Sequence, residues 1–281
     1  MKYVHGFYVR EDIQGETVLV SQESLSECIE YINKFNVESL QISDMYYELE
    51  EISFLEECKN IKYLSLNSSY LKDVSSIYKL ENLRSLSVND SNYTLELNRL
   101  TTLEELYMYC DKKVTGWQEL VNLKSLYLWK YNPQNKDLKG LDRLRNLEIL
   151  SITQSKITSL RGIKSLEKLK TVKLNYLRTL INIDDLKYTN NDLCYLEIEA
   201  CKKIEDFNAI EYLTSLETLN LFNCGQIRTI KFIQMLNNLK QFSFGGSNVI
   251  DGDISFCEGI EYVSFTDKKH YSHKNRYFNN F

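Results

Sequence analysis

Residues 193–216 read LCYLEIEACKKIEDFNAIEYLTSL. Leu193, Leu196 and Ile198 open this stretch as apolar-x-x-apolar-x-apolar. Leu196 and Ile198 flank Glu197, and alternation of this kind is the mark of a short strand with one buried face. From Ile204 the period changes. Ile204, Phe207, Ile210, Leu213 and Leu216 step by three, which fits 3₁₀ turns or a short irregular helix with one buried stripe. The stretch therefore predicts a strand, a turn and a returning segment, and Leu216 starts the same pattern again.

Outward from here the pattern occurs eleven times. It begins at Val37, Ile61, Leu83, Leu103, Leu123, Leu147, Leu169, Leu193, Leu216, Leu239 and Ile260. Successive starts lie 24, 22, 20, 20, 24, 22, 24, 23, 23 and 21 residues apart. Self-similarity at such a period marks a repeat architecture. One unit cannot bury its inward row alone. Stacking pairs the strands into a parallel sheet and covers each row from both sides, so array length and capped ends set stability. The 40 leucines, none after Leu239, belong to this array.

On these residues the chain resembles the leucine-rich repeat family, in particular the short class of about 22 residues found in bacterial internalin-like proteins. The resemblance implies an α/β leucine-rich repeat solenoid. A curved parallel sheet would form the concave face, short helical or 3₁₀ segments the convex face, and the role would be protein binding. The family usually places Asn three residues after the last strand apolar. Here those positions hold Met45, Ser69, Ser91, Asp111, Tyr131, Ser155, Leu177, Cys201, Cys224, Ser247 and Lys268. None is Asn; Ser and Cys offer a weaker, partial ladder.

The repeats cover residues 37–267. Residues 1–36 read as an N-terminal cap: Tyr3 to Val9 and Thr17 to Val20 suggest a hairpin, and Ser24 with Glu27 suggests a capping box opening a helix. Residues 268–281 mix cations with aromatics and read as a C-terminal cap or tail. Protruding loops are expected at 131–135 and 187–192.

Composition narrows the chemistry. Hydrophobic residues make up 43% of the 281 residues, too many for a disordered chain. Seven cysteines are sparse for a disulfide scaffold, and the odd count without a signal-like N-terminus suggests reduced thiols and a cytoplasmic protein. No apolar run approaches the ~20 residues of a membrane span. Net charge is −5, unevenly spread: residues 1–60 carry 4 Lys/Arg against 13 Asp/Glu, and residues 268–281 carry 4 Lys/Arg and no acid. No broad basic face follows, which argues against nucleic acid. Three histidines, no Cys-x-x-Cys, no phosphate-binding Gly loop and no Gly-x-Ser-x-Gly argue against catalysis, a cofactor or a metal. Cys201 and Cys224 share a repeat position. A thiol pair is conceivable there, but small residues filling a core account for them.

The face left for binding is the outward side of the strands. Around Leu106 and Leu126 it carries Glu105, Tyr107, Tyr109, Tyr127 and Trp129. Neighbouring strands lie ~4.8 Å apart, so Tyr107 is expected beside Tyr127 and Tyr109 beside Trp129. Further along come Lys173, Tyr195, Glu197, Glu199 and Phe222. Exposed aromatics are what interface hot spots use, and an acidic rim would select a basic surface. The expectation is a monomeric, non-enzymatic scaffold binding a protein partner. Two alternatives are an immunity or antitoxin-like protein that covers a toxin, and a self-assembling structural protein joined through its oppositely charged ends.

Overall fold

The computed structural model describes residues 1–13, 15–89, 93–110, 114–189 and 192–278. The chain forms two compact units, Met1–Leu126 and Tyr127–Phe281.

In the first unit, strands Lys2–Val4, Phe7–Asp12 and Gly15–Leu19 make an antiparallel ribbon. Gly15–Leu19 then pairs in parallel with Ser39–Ser43. The order continues in parallel through Tyr63–Asn67, Ser85–Val88 and Glu105–Tyr109. Leu40, Leu64, Leu86 and Leu106 fall in one register row. Helix Leu25–Lys34 packs Cys28 and Ile32 inward. The expected capping box does not form, because the Ser24 side chain makes no cap bond. A 3₁₀ turn, Gln22–Ser24, runs straight into the helix, and a helix continued from a turn does not begin with the usual orphan donors.

The second unit stacks Ile149–Thr153, Thr171–Asn175, Tyr195–Glu199, Thr218–Phe222, Gln241–Ser243 and Tyr262–Ser264, all parallel. Ser125 N–H donates to Glu104 O within the first unit, and Lys130 N–H donates to Thr153 O within the second.

The returning segments are 3₁₀ turns, among them Ser75–Lys79, Asp184–Tyr188, Asn208–Tyr212 and Lys231–Met235. A polar side chain two residues ahead caps several of them. Asp73, Asp137, Asn182, Asp206 and Asp253 accept from the amides of Ser75, Lys139, Asp184, Asn208 and Ser255. The step-of-three residues Ile204, Phe207, Ile210, Leu213 and Leu216 are at most 3% exposed. Of the eleven pattern triplets, Ile260 alone is half-buried; the other members are core.

The second unit has a device that the described residues of the first do not show. The residue two past the last strand apolar is left-handed in five successive repeats: Lys130, Gln154, Tyr176, Ala200 and Asn223, with φ of 53°, 56°, 59°, 54° and 52°. Their amides donate to Thr153, Asn175, Glu199, Phe222 and Gly245 of the next repeat, lengthening the ladder by one bond. The left-handed residue bends the chain, and the residue after it lies in the core. Tyr131, Ser155, Leu177, Cys201, Cys224 and Ser247 are all buried there.

At the matching place in the first unit Met45 and Ser69 are exposed, and Ser68 is buried instead. Ser91 and Asp111 lie outside the described residues. The burial of Tyr131 also removes the first expected loop from its own start. In the second, Asn190 and Asn191 lie outside the described residues.

The partial ladder is real and polar. Ser247 Oγ donates to Leu221 O at 2.6 Å and accepts from Cys224 N at 2.9 Å. The Cys224 thiol reaches Ile198 O at 3.2 Å and the Cys201 thiol Leu174 O at 3.4 Å. Ser155 Oγ donates to Tyr131 O. Beyond the last strand, Tyr271 and Phe278 are buried, Phe244 stacks on Phe265 at 4.8 Å, and Tyr271 Oη accepts from Val249 N at 2.9 Å. The end of the tail, residues 279–281, lies outside the described residues.

Candidate functional site

Strand alternation leaves one side of each sheet uncovered by the 3₁₀ turns, and the sequence-selected residues lie on that side. Glu105, Tyr107 and Tyr109 take the half-buried positions of their strand, with Leu106 and Met108 buried between them. They belong to the first unit. Tyr127 is half-buried and Trp129 is 40% exposed at the start of the second. Lys173, Tyr195, Glu197, Glu199 and Phe222 are likewise half-buried.

Within the second unit several of these side chains form one network. Register places Lys173 opposite Glu197 and Glu197 opposite Asn220. Glu197 Oε2 accepts from Tyr195 Oη at 2.8 Å, and Glu197 Oε1 accepts from Asn175 Nδ2 at 3.1 Å. Asn220 Nδ2 donates to Tyr195 Oη at 3.2 Å. The Lys173 ammonium sits 5.1 Å from the Tyr195 ring centroid, a cation–π contact. Tyr176 Oη donates to Glu199 Oε1 at 2.9 Å. Burial pushes the Tyr195 phenol up, and the Glu197 carboxylate beside it adds to the rise. The hydrogen bond to Glu199 raises the Tyr176 phenol.

The asparagines were the part that sequence reasoning missed. Asn175 and Asn220 occupy outward strand positions, and their role appears only with the register. Asn220 is 5% exposed. Oδ1 of Asn175 and Oδ1 of Asn220 are both covered and have no hydrogen-bond partner; the same holds for Asn67 in the first unit.

The first unit carries a groove of about 260 Å³ on its open face, floored by Ser39, Ser65 and Ser87 and flanked by Asp12, Tyr63 and Tyr107. Asp12 there accepts from Thr17 Oγ1 at 2.7 Å and from Arg10 at 3.3 Å.

On the flank, the residue after each triplet's first apolar carries a charge row. Lys62 pairs with Glu38 at 2.6 Å, Arg84 and Lys124 with Glu104 at 2.7 and 2.6 Å, Lys170 with Glu148 at 2.8 Å, and Lys240 with Glu217 at 2.9 Å. Cys194 occupies this position between Lys170 and Glu217. The charged partners hold the Glu104 carboxyl below its usual range.

Among the described residues no group of three or more His, Cys, Asp or Glu could hold a metal, and no helix is long and apolar enough to cross a membrane. All seven cysteines are free thiols.

Strand, turn and 3₁₀ return recur with an inward leucine row, and the same arrangement is found in known structures. An internalin (inlF) of Listeria monocytogenes superposes with a TM-score of 0.58 at 22% identity, covering 83% of this chain and 69% of that one. This chain is a leucine-rich repeat solenoid.

TLR13, in the crystal structure of a TLR13–ssRNA13 complex, shares the fold, with a TM-score of 0.52 at 18% identity over 80% of this chain and 38% of that one. Among curated sequences, the leucine-rich repeat chain is 24% identical over 245 residues to the disease resistance protein RRS1 of Arabidopsis thaliana. It is 28% identical over 203 residues to a putative adenylate cyclase regulatory protein of Trypanosoma equiperdum. These matches cover 86% and 67% of this chain but 17% and 32% of those proteins, so the array spans a minor part of each relative's length. No family model matches the chain.

Proposed function

We propose that this leucine-rich repeat array is a non-enzymatic scaffold that binds a protein partner through the open faces of its sheets. The observation that carries the reading is the placement of Tyr107, Tyr109, Tyr127 and Trp129 at outward strand positions, where they are not needed to fill the core. Large aromatics on an open face supply contact area at little conformational cost and dominate interface energies. Glu105, Lys173, Tyr195, Glu197, Glu199 and Phe222 extend the two faces and favour a partner with a basic surface. On this reading residues 1–36 and 268–281 cap the repeats of 37–267. The protein acts as a cytoplasmic monomer, and neither nucleic acid nor membrane is its target.

The test is affinity capture from native cells with wild type and a Tyr109→Ala/Trp129→Ala double variant, whose fold is checked by circular dichroism. Retention of the captured partner should fall at least about tenfold, the cost of losing one hot-spot contact. A partner that binds the folded double variant unchanged overturns the assignment of the face.

A further inference from the structure

We infer that the network around Glu197 is a receptor for one arginine side chain of the protein partner. This deepens the reading above and rests on it, because it names what the second unit's open face takes.

The argument begins with the orientation of two amides. Glu197 Oε1 accepts from Asn175, so the nitrogen of Asn175 faces the carboxylate. Tyr195 Oη donates its one proton to Glu197 Oε2 and therefore accepts from Asn220. That fixes the nitrogen of Asn220 toward the phenol. Turning either amide over would set its oxygen against the carboxylate or against the phenol's lone pairs. Each asparagine thus gives a donor to the Glu197 system, and both Oδ1 atoms are left covered without a donor. An acceptor in that state is costly, and native structures rarely keep one without a use. Among the described residues three such atoms occur, and two of them belong to asparagines of the Glu197 network.

The chemistry that satisfies this set is cationic and rich in N–H groups. Each Glu197 oxygen has one further lone pair, and the two Oδ1 atoms add two more acceptors. A guanidinium offers five donors in a planar fork, is always charged and is weakly hydrated. An ammonium offers three donors around a point and is more strongly hydrated, so it leaves part of the set unpaired.

The chain's own nearby cation does not fill the place. Lys173 lies opposite Glu197 in register, yet its ammonium sits over the Tyr195 ring and forms no ion pair with Glu197. Since both amide oxygens are covered, an entering guanidinium displaces a side chain. Lys173, held by that cation–π contact, is the group placed to move, and stacking on Tyr195 then passes from Lys173 to the arginine.

The test uses the whole chain with asparagine side-chain amide resonances as the readout. The probes are three blocked tripeptides, acetyl-Gly-Arg-Gly-amide and its Lys and norleucine counterparts. The arginyl peptide should shift the Asn175 and Asn220 signals saturably, bind at least fivefold more tightly than the lysyl peptide, and lose its effect in Glu197→Gln. The norleucyl peptide should do nothing. Equal response to arginine and lysine, a response that survives Glu197→Gln, or no saturable shift each overturns the inference.

A partner from the capture experiment separates this inference from the reading beneath it. Loss of capture in Tyr109→Ala/Trp129→Ala with full capture in Glu197→Gln leaves the scaffold standing and removes the arginine receptor. Full capture in the double variant with loss in Glu197→Gln removes the aromatic residues Tyr109 and Trp129 from the binding face and leaves the arginine receptor standing.

Discussion

Ser247 tests whether the serine and cysteine ladder stabilises the second unit. It is 1% exposed, and its hydroxyl serves two backbone groups: it donates to Leu221 O at 2.6 Å and accepts from Cys224 N at 2.9 Å. Ser247→Ala keeps the backbone and nearly the volume while removing both bonds. The Cys224 amide is then a buried donor without an acceptor, which costs about 1–3 kcal/mol, and the lost bond to Leu221 adds about 0.5–1 kcal/mol. The expected loss is about 1.5–4 kcal/mol.

Ser69→Ala is the control. Ser69 occupies the same repeat position but is exposed, with its hydroxyl 3.1 Å from Asp44, so its removal should change stability by less than about 0.5 kcal/mol. Urea titration followed by circular dichroism measures the total. Alkylation of the Cys224 thiol reports local opening, which matters because repeat arrays can unfold in parts. If both variants stay within about 0.5 kcal/mol of wild type, the ladder carries no stability and the argument fails.

Two further outcomes follow from backbone and thiol geometry. Ala200 is left-handed at φ 54°, a conformation costing a residue with a Cβ about 1–2 kcal/mol. Glycine removes that cost but loses about 0.4–1 kcal/mol through the unfolded chain, so Ala200→Gly should stabilise by about 0.5–1 kcal/mol in urea titration; a destabilised variant contradicts this. Burial pushes Cys28 up to about 11 and Cys58, Cys201, Cys224 and Cys257 up to about 12. A thiol near 12 is a thiolate in only ~10⁻⁴ of molecules at pH 8. Cys110 and Cys194 are half-buried and the other five are buried, so iodoacetamide on native protein should add two adducts by intact mass. A third adduct before unfolding would show that the core is open.

Much of the fold was legible because the strand triplet and the step of three each have one physical cause. An inward side chain recurs at i and i+2 on a strand, and at every third residue on a 3₁₀ turn. The capping box was misread because Ser24 and Glu27 have the right spacing, while the 3₁₀ turn that ends on Ser24 lies outside that motif. The positions of Glu105, Tyr107, Tyr109, Tyr127 and Trp129 followed from alternation alone. The role of Asn175 and Asn220 did not, because an amide's orientation depends on which side chain register sets across from it.

The sequence by itself determined the repeat length, the inward rows and which residues lie on the open face. These depend on local periodicity, which any stacked arrangement must respect. Only the tertiary structure decided what happens just after each strand. Ser69 and Ser247 hold the same repeat position, yet one is exposed and the other is core. Left-handed residues bend the second unit's chain at this point, and Ser68 takes the inward place in the first. Whether a residue accepts that conformation is settled by the bonds it gains with the next repeat, such as Ala200 N to Phe222 O. The same is true of Glu197: its charge and Tyr195 were visible on one strand, but Lys173, Asn175 and Asn220 around it come from the neighbouring strands.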